Sequence, residues 1–252
     1  MKIKRILVFL IIIIFLGFLA YYYPKLTGEA ISNSNHQEYE KEKCFVSRVI
    51  DGDTLVCGNQ TIRLLGINTP EKKMPYYQEA KDFLIKETEN KSVEILRDKE
   101  DIDRYDRKLR YIFYEDRLMN VEILQEGFAT SFMLESLNYE DKLMQAENYA
   151  RKSEVRLWEK SKEVCANCIE LLGLNYTEEF FILKNSCGFD CELIGWSVKD
   201  DANHIFKLEN MIVGEEKRYD SNIKIWNDEG DRFFMRDETG KLVVFYEYKN
   251  GF

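Results

Sequence analysis

The chain has 252 residues, 45% hydrophobic and 13% aromatic, which excludes a disordered polymer and supplies material for two cores. Its net charge of −9 excludes broad electrostatic capture of nucleic acid, because a surface that tracks phosphates is basic. Any chemistry on an anionic polymer must therefore use local positive charge.

The first element is an uninterrupted apolar run from Ile6 to Tyr23, preceded by Lys2, Lys4 and Arg5. It is long enough to span a membrane, it exceeds the roughly 7–15 residues of a signal-peptide core, and no clean small-x-small site follows it. Residues 1–24 are expected to form a retained transmembrane helix. The basic flank places the N-terminus in the cytoplasm and everything beyond Pro24 outside the cell; the alternative is secretion after signal cleavage. Residues 25–43 are polar and aperiodic, as in a tether.

From residue 44 to 160 the pattern is mixed. Five short segments rich in β-branched, aliphatic or aromatic residues read as strands: Cys44–Ile50, Thr54–Cys57, Thr61–Ile67, Ser92–Arg97 and Lys108–Glu115. Helical spacing runs through Tyr76–Asn90 and through Tyr139–Leu157, the latter with Asn138 as its expected N-cap. A shorter helix is expected over Met119–Glu126, ending at Gly127. Five strands with interleaved helices predict an α+β, five-stranded barrel of the OB type, a fold that presents a face to polymeric ligands.

Charged groups crowd the predicted strand ends. Asp51, Asp53 and Thr54 fall at the first hairpin turn, Arg63 on the next strand, and Asn68, Thr69 and Glu71 where it ends; Asp103 to Arg107 adds Arg104, Tyr105 and Arg107 downstream. A phosphodiester repels nucleophiles, so its hydrolysis requires charge neutralisation and an oriented water. Arg63 and Arg107 suit the first task, since a guanidinium holds two phosphate oxygens in a planar fork. The two histidines, His36 and His204, both lie outside this segment, so a carboxylate, Glu71, must take the base or water-orienting role. Asp53, Asn68 and the Thr69 carbonyl form an oxygen-only set that suits Ca²⁺ better than zinc or copper.

In order, VIDGDTL, RLLGINTPE, DRYDRKLRYIF and KSEVRLWEK resemble the staphylococcal-nuclease (thermonuclease) family over residues 44–160. The resemblance implies calcium at Asp53, Asn68 and Thr69, with Asp51 behind them. It also implies catalysis by Arg63, Glu71 and Arg107, a bound nucleotide near Arg104 and Tyr105, and products with a 3′-phosphate and a 5′-hydroxyl. Three features depart from the family: Asn68 replaces its usual aspartate, the segment after Glu71 (Lys72–Ala80) is shorter than the family's basic loop, and Met133 stands where a base-stacking tyrosine is expected, a duty for which Tyr76 and Tyr77 are the available substitutes.

Residues 165–252 change texture to short aromatic strands separated by Gly, Asn and Asp turns, an all-β sandwich pattern. Gly195-Trp196, Trp226-Asn227 and Gly230-Asp231 make this segment similar to the lamin-tail domain. That resemblance implies an immunoglobulin-like sandwich with a spacer, adhesion or partner-docking role. Its excess of acidic residues argues against a DNA-gripping surface. Cys165, Cys168, Cys187 and Cys191 form a C-x2-C…C-x3-C pattern, open to two disulfides or a Cys₄ zinc site, with disulfides favoured outside the cell. Cys44 and Cys57 remain. A regular two-residue hairpin sets Cys57 opposite Arg48, about 13 Å along the strand from Cys44, so a bond there requires an irregular register.

Two functions are compatible with these features. One is a membrane-anchored, calcium-dependent nuclease acting on DNA or RNA. The other is a non-catalytic module that binds nucleic acid or protein on the same fold.

Overall fold

The computed structural model describes residues 39–249. The expected membrane anchor and most of the tether lie outside them, and no helix among the described residues is long and apolar enough to cross a membrane.

Among the described residues, five strands close the expected barrel. They are β1 (Glu42–Asp51), β2 (Thr54–Cys57), β3 (Gln60–Leu64), then, beyond the short β4 (Ile67–Asn68), β5 (Ser92–Leu96) and β6 (Lys108–Tyr114). Antiparallel pairing runs β3-β2-β1-β5-β6, and a parallel ladder that sets Arg63 opposite Leu109 returns β6 to β3 and closes the ring. Alternating residues point inward, so Val46, Leu55, Ile62, Leu64 and Ile112 are fully buried in one core. A two-residue strand, β7 (Arg117–Leu118), continues from β6, and β8 (Thr130–Ser131) pairs with β4, matching Asn68 with Thr130.

Three helices pack on the barrel among the described residues. In α1 (Tyr77–Thr88) the buried residues are Ala80, Leu84 and Thr88, one stripe at i, i+4 and i+8. α2 (Met119–Gln125) ends at Gly127, whose φ of +72° and close approach to the Val155 carbonyl, 2.5 Å from where a Cβ would sit, admit only glycine. α3 (Glu140–Lys152) buries Leu143, Ala146, Glu147 and Ala150. Two expectations change here. The last helix stops at Lys152, because Glu154 and Arg156 take positive φ and a 3-10 turn covers Arg156–Trp158. Asn138 does not cap it: the N-cap is Tyr139 without a side-chain bond, and the Asn138 N–H instead donates to Asp98 Oδ2 at 2.8 Å.

The β1–β2 register shifts twice, so Cys57 faces Val46 rather than Arg48. Those two bulges bring Cys44 and Cys57 to a Cα separation of 5.8 Å in a disulfide.

The C-terminal part comprises β9 (Ile169–Asn175), β10 (Phe180–Asn185), β11 (Ser197–Lys199), β12 (Ile205–Lys207), β13 (Glu216–Asp220), β14 (Gly230–Arg236) and β15 (Leu242–Lys249). They form antiparallel sheets ordered β13-β10-β9 and β12-β11-β14-β15 over one core containing Phe181, Trp196, Val198, Trp226, Phe233 and Met235. From sequence, Phe180–Asn185, Glu192–Val198, His204–Leu208, Asp231–Asp237 and Lys241–Tyr248 read as strands; they coincide with β10, the start of β11, β12, β14 and β15, while β9 and β13, whose alternate residues are largely exposed, were not marked. Cys165–Cys191 and Cys168–Cys187 are disulfides with Cα separations of 5.9 and 5.1 Å. The four sulfurs that a zinc site would need are therefore consumed in covalent bonds.

β14 is buried on both faces. Phe233 and Met235 enter the C-terminal core, while Phe234 packs with Trp158, Leu157 and Ala150 of the barrel half. Gly240, at φ +86°, lies so close to Pro75 that any side chain there would collide with it. A two-way backbone tie completes the join: Leu242 N donates to Glu159 O at 2.8 Å and Ser161 N to Leu242 O at 2.9 Å.

Candidate active site

The site begins at the β1–β2 turn. Gly52 allows that turn to pass against Thr69 and Ala80, each 2.9 Å from where a Cβ would stand. The close approach sets Asp53 beside the end of β4. Asp53 is buried; its Oδ2 accepts from Thr69 N and Thr69 Oγ1, both at 3.0 Å, and its Oδ1 accepts from Thr54 Oγ1 at 2.9 Å. The Arg63 guanidinium, from β3, reaches Asp53 Oδ2 at 3.2 Å and donates a short hydrogen bond to Asn68 Oδ1.

Burial opposes ionisation of Asp53, but the Arg63 charge and the Thr69 and Thr54 donors outweigh it and hold the carboxyl below its ordinary range. Asp51 behaves oppositely: burial first, then the neighbouring Asp53 charge, push it up to about 6. Two carboxyls in one turn are thereby divided into a charged one facing Arg63 and a second one that gives up its charge more readily.

The second arginine joins the same cluster. Arg107 Nη1 lies 3.4 Å from Thr54 Oγ1, while its Nε and Nη2 each reach Asp103 Oδ2 at 2.7 Å. Asp103 also accepts from the backbone N–H of Tyr105 at 2.9 Å and of Arg107 at 3.0 Å, which shapes the 103–107 turn. On that turn Tyr105 is 65% exposed, with the Arg104 and Arg107 guanidinium carbons 4.8 and 5.4 Å from its ring centroid. An exposed aromatic face between two cations suits a nucleobase next to a phosphate.

Glu71 follows Thr69-Pro70 on an exposed turn, and among the described residues its carboxylate makes no hydrogen bond or ion pair; only its carbonyl is used, by Met74 N at 2.9 Å. Asp53, Thr54, Arg63, Asn68, Thr69 and Arg107 thus form one contact network, with Asp51 against Asp53. Glu71 stands free on the adjoining segment. The cysteine quartet lies in the C-terminal core, apart from this network. Neither tyrosine proposed for stacking is at the 103–107 turn: Tyr76 packs into the Trp158–Phe234 cluster and Tyr77 opens α1.

The sequence did not expose how closely the C-terminal half approaches this site. Asn68 Nδ2 donates to the Asp201 carbonyl at 2.8 Å. Arg232, buried on β14, donates to Asp201 Oδ1 and Oδ2 at 2.7 and 2.8 Å, to Glu147 Oε2 at 2.8 Å and to the Ser131 carbonyl. Ser131 in turn donates to Glu147 through both its N–H and its hydroxyl at 2.7 Å. Because Ser131 and Asn68 belong to the paired strands β8 and β4, this buried network is tied to the site. The available signals were an acid on the apolar stripe of α3 and two arginines, Arg232 and Arg236, at alternate positions of an aromatic strand.

An anionic carboxylate and an amide oxygen converge on one positive group, Arg63, and the hard-oxygen chemistry of Asp53, Asn68 and the Thr69 carbonyl fits an ion such as Ca²⁺.

A closed five-stranded OB-type barrel that gathers two guanidinium groups, oxygen donors and a free carboxylate at its strand ends defines a class of polyanion-directed barrel domains. Residues 61–160 match the family of staphylococcal nuclease homologues. The chain is 33% identical to the thermonuclease of Staphylococcus hyicus over 139 residues, 51% of this chain and 79% of that protein. It is 28% identical to the thermonuclease of Staphylococcus intermedius over 161 residues, 60% of this chain and 96% of that one. It is 32% identical to an uncharacterized endonuclease of Haemophilus influenzae over 124 residues, 47% of this chain and 67% of the other. The chain belongs to the staphylococcal nuclease family.

Proposed function

We propose that the chain is a calcium-dependent nuclease that hydrolyses phosphodiester bonds in DNA or RNA. The observation that carries this reading is the contact network in which Arg63 pairs with Asp53 and Arg107 reaches Thr54, while Glu71 is unpaired among the described residues on the adjoining segment. Arg63 and Arg107 exchange their carboxylate partners for phosphate oxygens and stabilise charge as it builds on the phosphoryl group. Glu71 takes the proton of a water that attacks phosphorus, the P–O bond to the departing 5′ oxygen breaks, and that oxygen takes up a proton from solvent, leaving the 3′-phosphate and 5′-hydroxyl expected of the family. Asp53, Asn68 and the Thr69 carbonyl would hold Ca²⁺, which supplies charge neutralisation at the phosphate. Tyr105, with Arg104, offers the stacking face for a base. The apolar N-terminal run supports display outside the cell on a membrane anchor, where calcium is abundant enough to fill sites of about 10⁻⁴–10⁻³ M. The lamin-tail resemblance supports a docking role for the outer faces of the C-terminal sheets.

The test is cleavage of single-stranded DNA and RNA by the full chain in detergent, with calcium or with chelator, comparing wild type with Glu71→Gln. Calcium-dependent cleavage that falls by roughly 10²–10⁴ in Glu71→Gln is expected for loss of a general base. Equal or absent cleavage in all arms overturns the nuclease reading and leaves the non-catalytic binding module.

A further inference from the structure

The barrel and the C-terminal sheets enclose a cleft of about 470 Å³, within the roughly 300–1,000 Å³ of small-ligand sites. One wall is the segment carrying Asn68, Thr69 and Glu71; the other comes from β11, β12 and the end of β14. Trp196, Ile205 and Met74 make much of the lining apolar; Lys199 and Arg236 interrupt it on the C-terminal wall beside Asp237 and Glu238, with Lys207 on the same side and Lys73 and Glu71 on the barrel side.

Arg236 is 5% exposed. Its Nη1 donates to the carbonyls of Leu157 and, at 3.0 Å, Gly240, while Nε and Nη2 are buried without a partner. Lys199 Nζ donates to the neutral Asn203 Oδ1 at 2.9 Å and lies 4.9 Å from the centre of the Phe234 ring. Among the described residues, no carboxylate lies within ion-pairing distance of either. The acids nearby serve other donors: Asp201 holds Arg232, Asp200 holds His204, and Asp237 accepts from the Thr239 and Lys241 backbone. Burial and the adjacent Arg236 charge push Lys199 down to about 8, and burial pushes Arg236 down to about 10. Two neighbouring cations without counter-charge are costly to bury, and an anion placed between them relieves that cost.

We propose that this cleft binds one nucleotide unit of the substrate strand or product, its phosphate paired with Arg236 and Lys199 and its base against Ile205 and Met74. The choice of a nucleotide among aromatic anions rests on the nuclease reading, because the cleft opens along the Glu71 segment. The C-terminal half then acts as a second wall of the substrate site, and the chain grips a strand on both sides of the bond it cuts.

Calorimetric titration of the full chain carrying Glu71→Gln, in chelator, tests this with a deoxynucleoside 3′-monophosphate, the matching deoxynucleoside and inorganic phosphate. Each is measured in three backgrounds: no further change, Lys199→Gln, and Arg63→Gln with Arg107→Gln. Lys199→Gln leaves the buried Arg236 bonds intact and so avoids the risk of misfolding. The monophosphate is expected to bind more tightly than nucleoside or phosphate, to weaken by about tenfold or more in Lys199→Gln, and to keep its affinity within about threefold when Arg63 and Arg107 are changed. Binding that ignores Lys199 and disappears with Arg63 and Arg107, or no binding in any arm, overturns the proposal. Polymer cleavage by wild type without Lys199-dependent binding overturns this inference alone. Lys199-dependent binding without cleavage supports it and overturns the nuclease reading.

Discussion

The two walls of the cleft carry their positive charge differently. On the barrel side three guanidinium groups have an internal carboxylate: Arg63 has Asp53, Arg107 has Asp103, and Arg110 has Asp101 at 2.7 Å. On the C-terminal side Arg232 is fully paired, to Glu147 and Asp201, but Arg236, four residues along the same strand, has no ion-pairing carboxylate among the described residues. A paired buried arginine locks two surfaces together, since removing either partner strands the other. An unpaired one is available for an incoming anion. Arg63 and Arg107 must trade a partner to meet substrate, whereas Arg236 and Lys199 need not.

The comparison breaks first at Arg232. Arg232→Met leaves Glu147 and Asp201 buried without a counter-charge, and unfolding in urea should show a loss of about 3–5 kcal/mol; an unchanged midpoint would mean the two halves are not locked there. In the barrel, Arg63→Gln should lower cleavage by roughly 10²–10³, the effect of deleting one charge-stabilising donor, and should also lower the thermal midpoint, because Asp53 is left buried without its counter-charge.

Asn68→Asp sharpens the link between the walls. An added negative charge should tighten calcium binding, read by calcium titration. The same change replaces the amide that donates to Asp201 O with an acceptor, so the metal-free protein should lose about 1–3 kcal/mol. A family-type aspartate is thus at odds with the C-terminal contact, which gives the departure at this position a physical reason.

The smallest effect is at Lys199. Its value falls from 10.5 unfolded to about 8 folded, so between these values the unfolded chain binds more protons and stability from this group rises with pH. Below about pH 8 its buried charge is a burden. Lys199→Met should therefore raise the thermal midpoint at pH 7, and that gain should shrink by pH 10.5; an equal gain at both would exclude a charge effect.

Local signals made much of the barrel legible. Asp51-Gly52-Asp53, Arg63 and Glu71 sit at turns and strand ends whose chemistry depends on residues a few positions away, and alternation marks the five strands directly. Alternation is blind to bulges, so the β1–β2 shifts and the Cys44–Cys57 bond they permit were not readable. It is blind as well to a strand buried on both faces. β14 reads as an aromatic strand, but nothing in its sequence says that Arg232, Phe234 and Arg236 meet the barrel while Phe233 and Met235 meet the C-terminal core.

By itself, the sequence determined the barrel, its family and the residue types that can meet a phosphate, because these depend on periodicity and short spacing. Only the tertiary structure decided that Asn68 answers to Asp201, that Glu147 and Arg232 join the halves, and that Lys199 and Arg236 face a cleft without counter-charge. Those relations link positions up to 133 residues apart, and contacts at that range are set by how finished surfaces pack rather than by any local pattern.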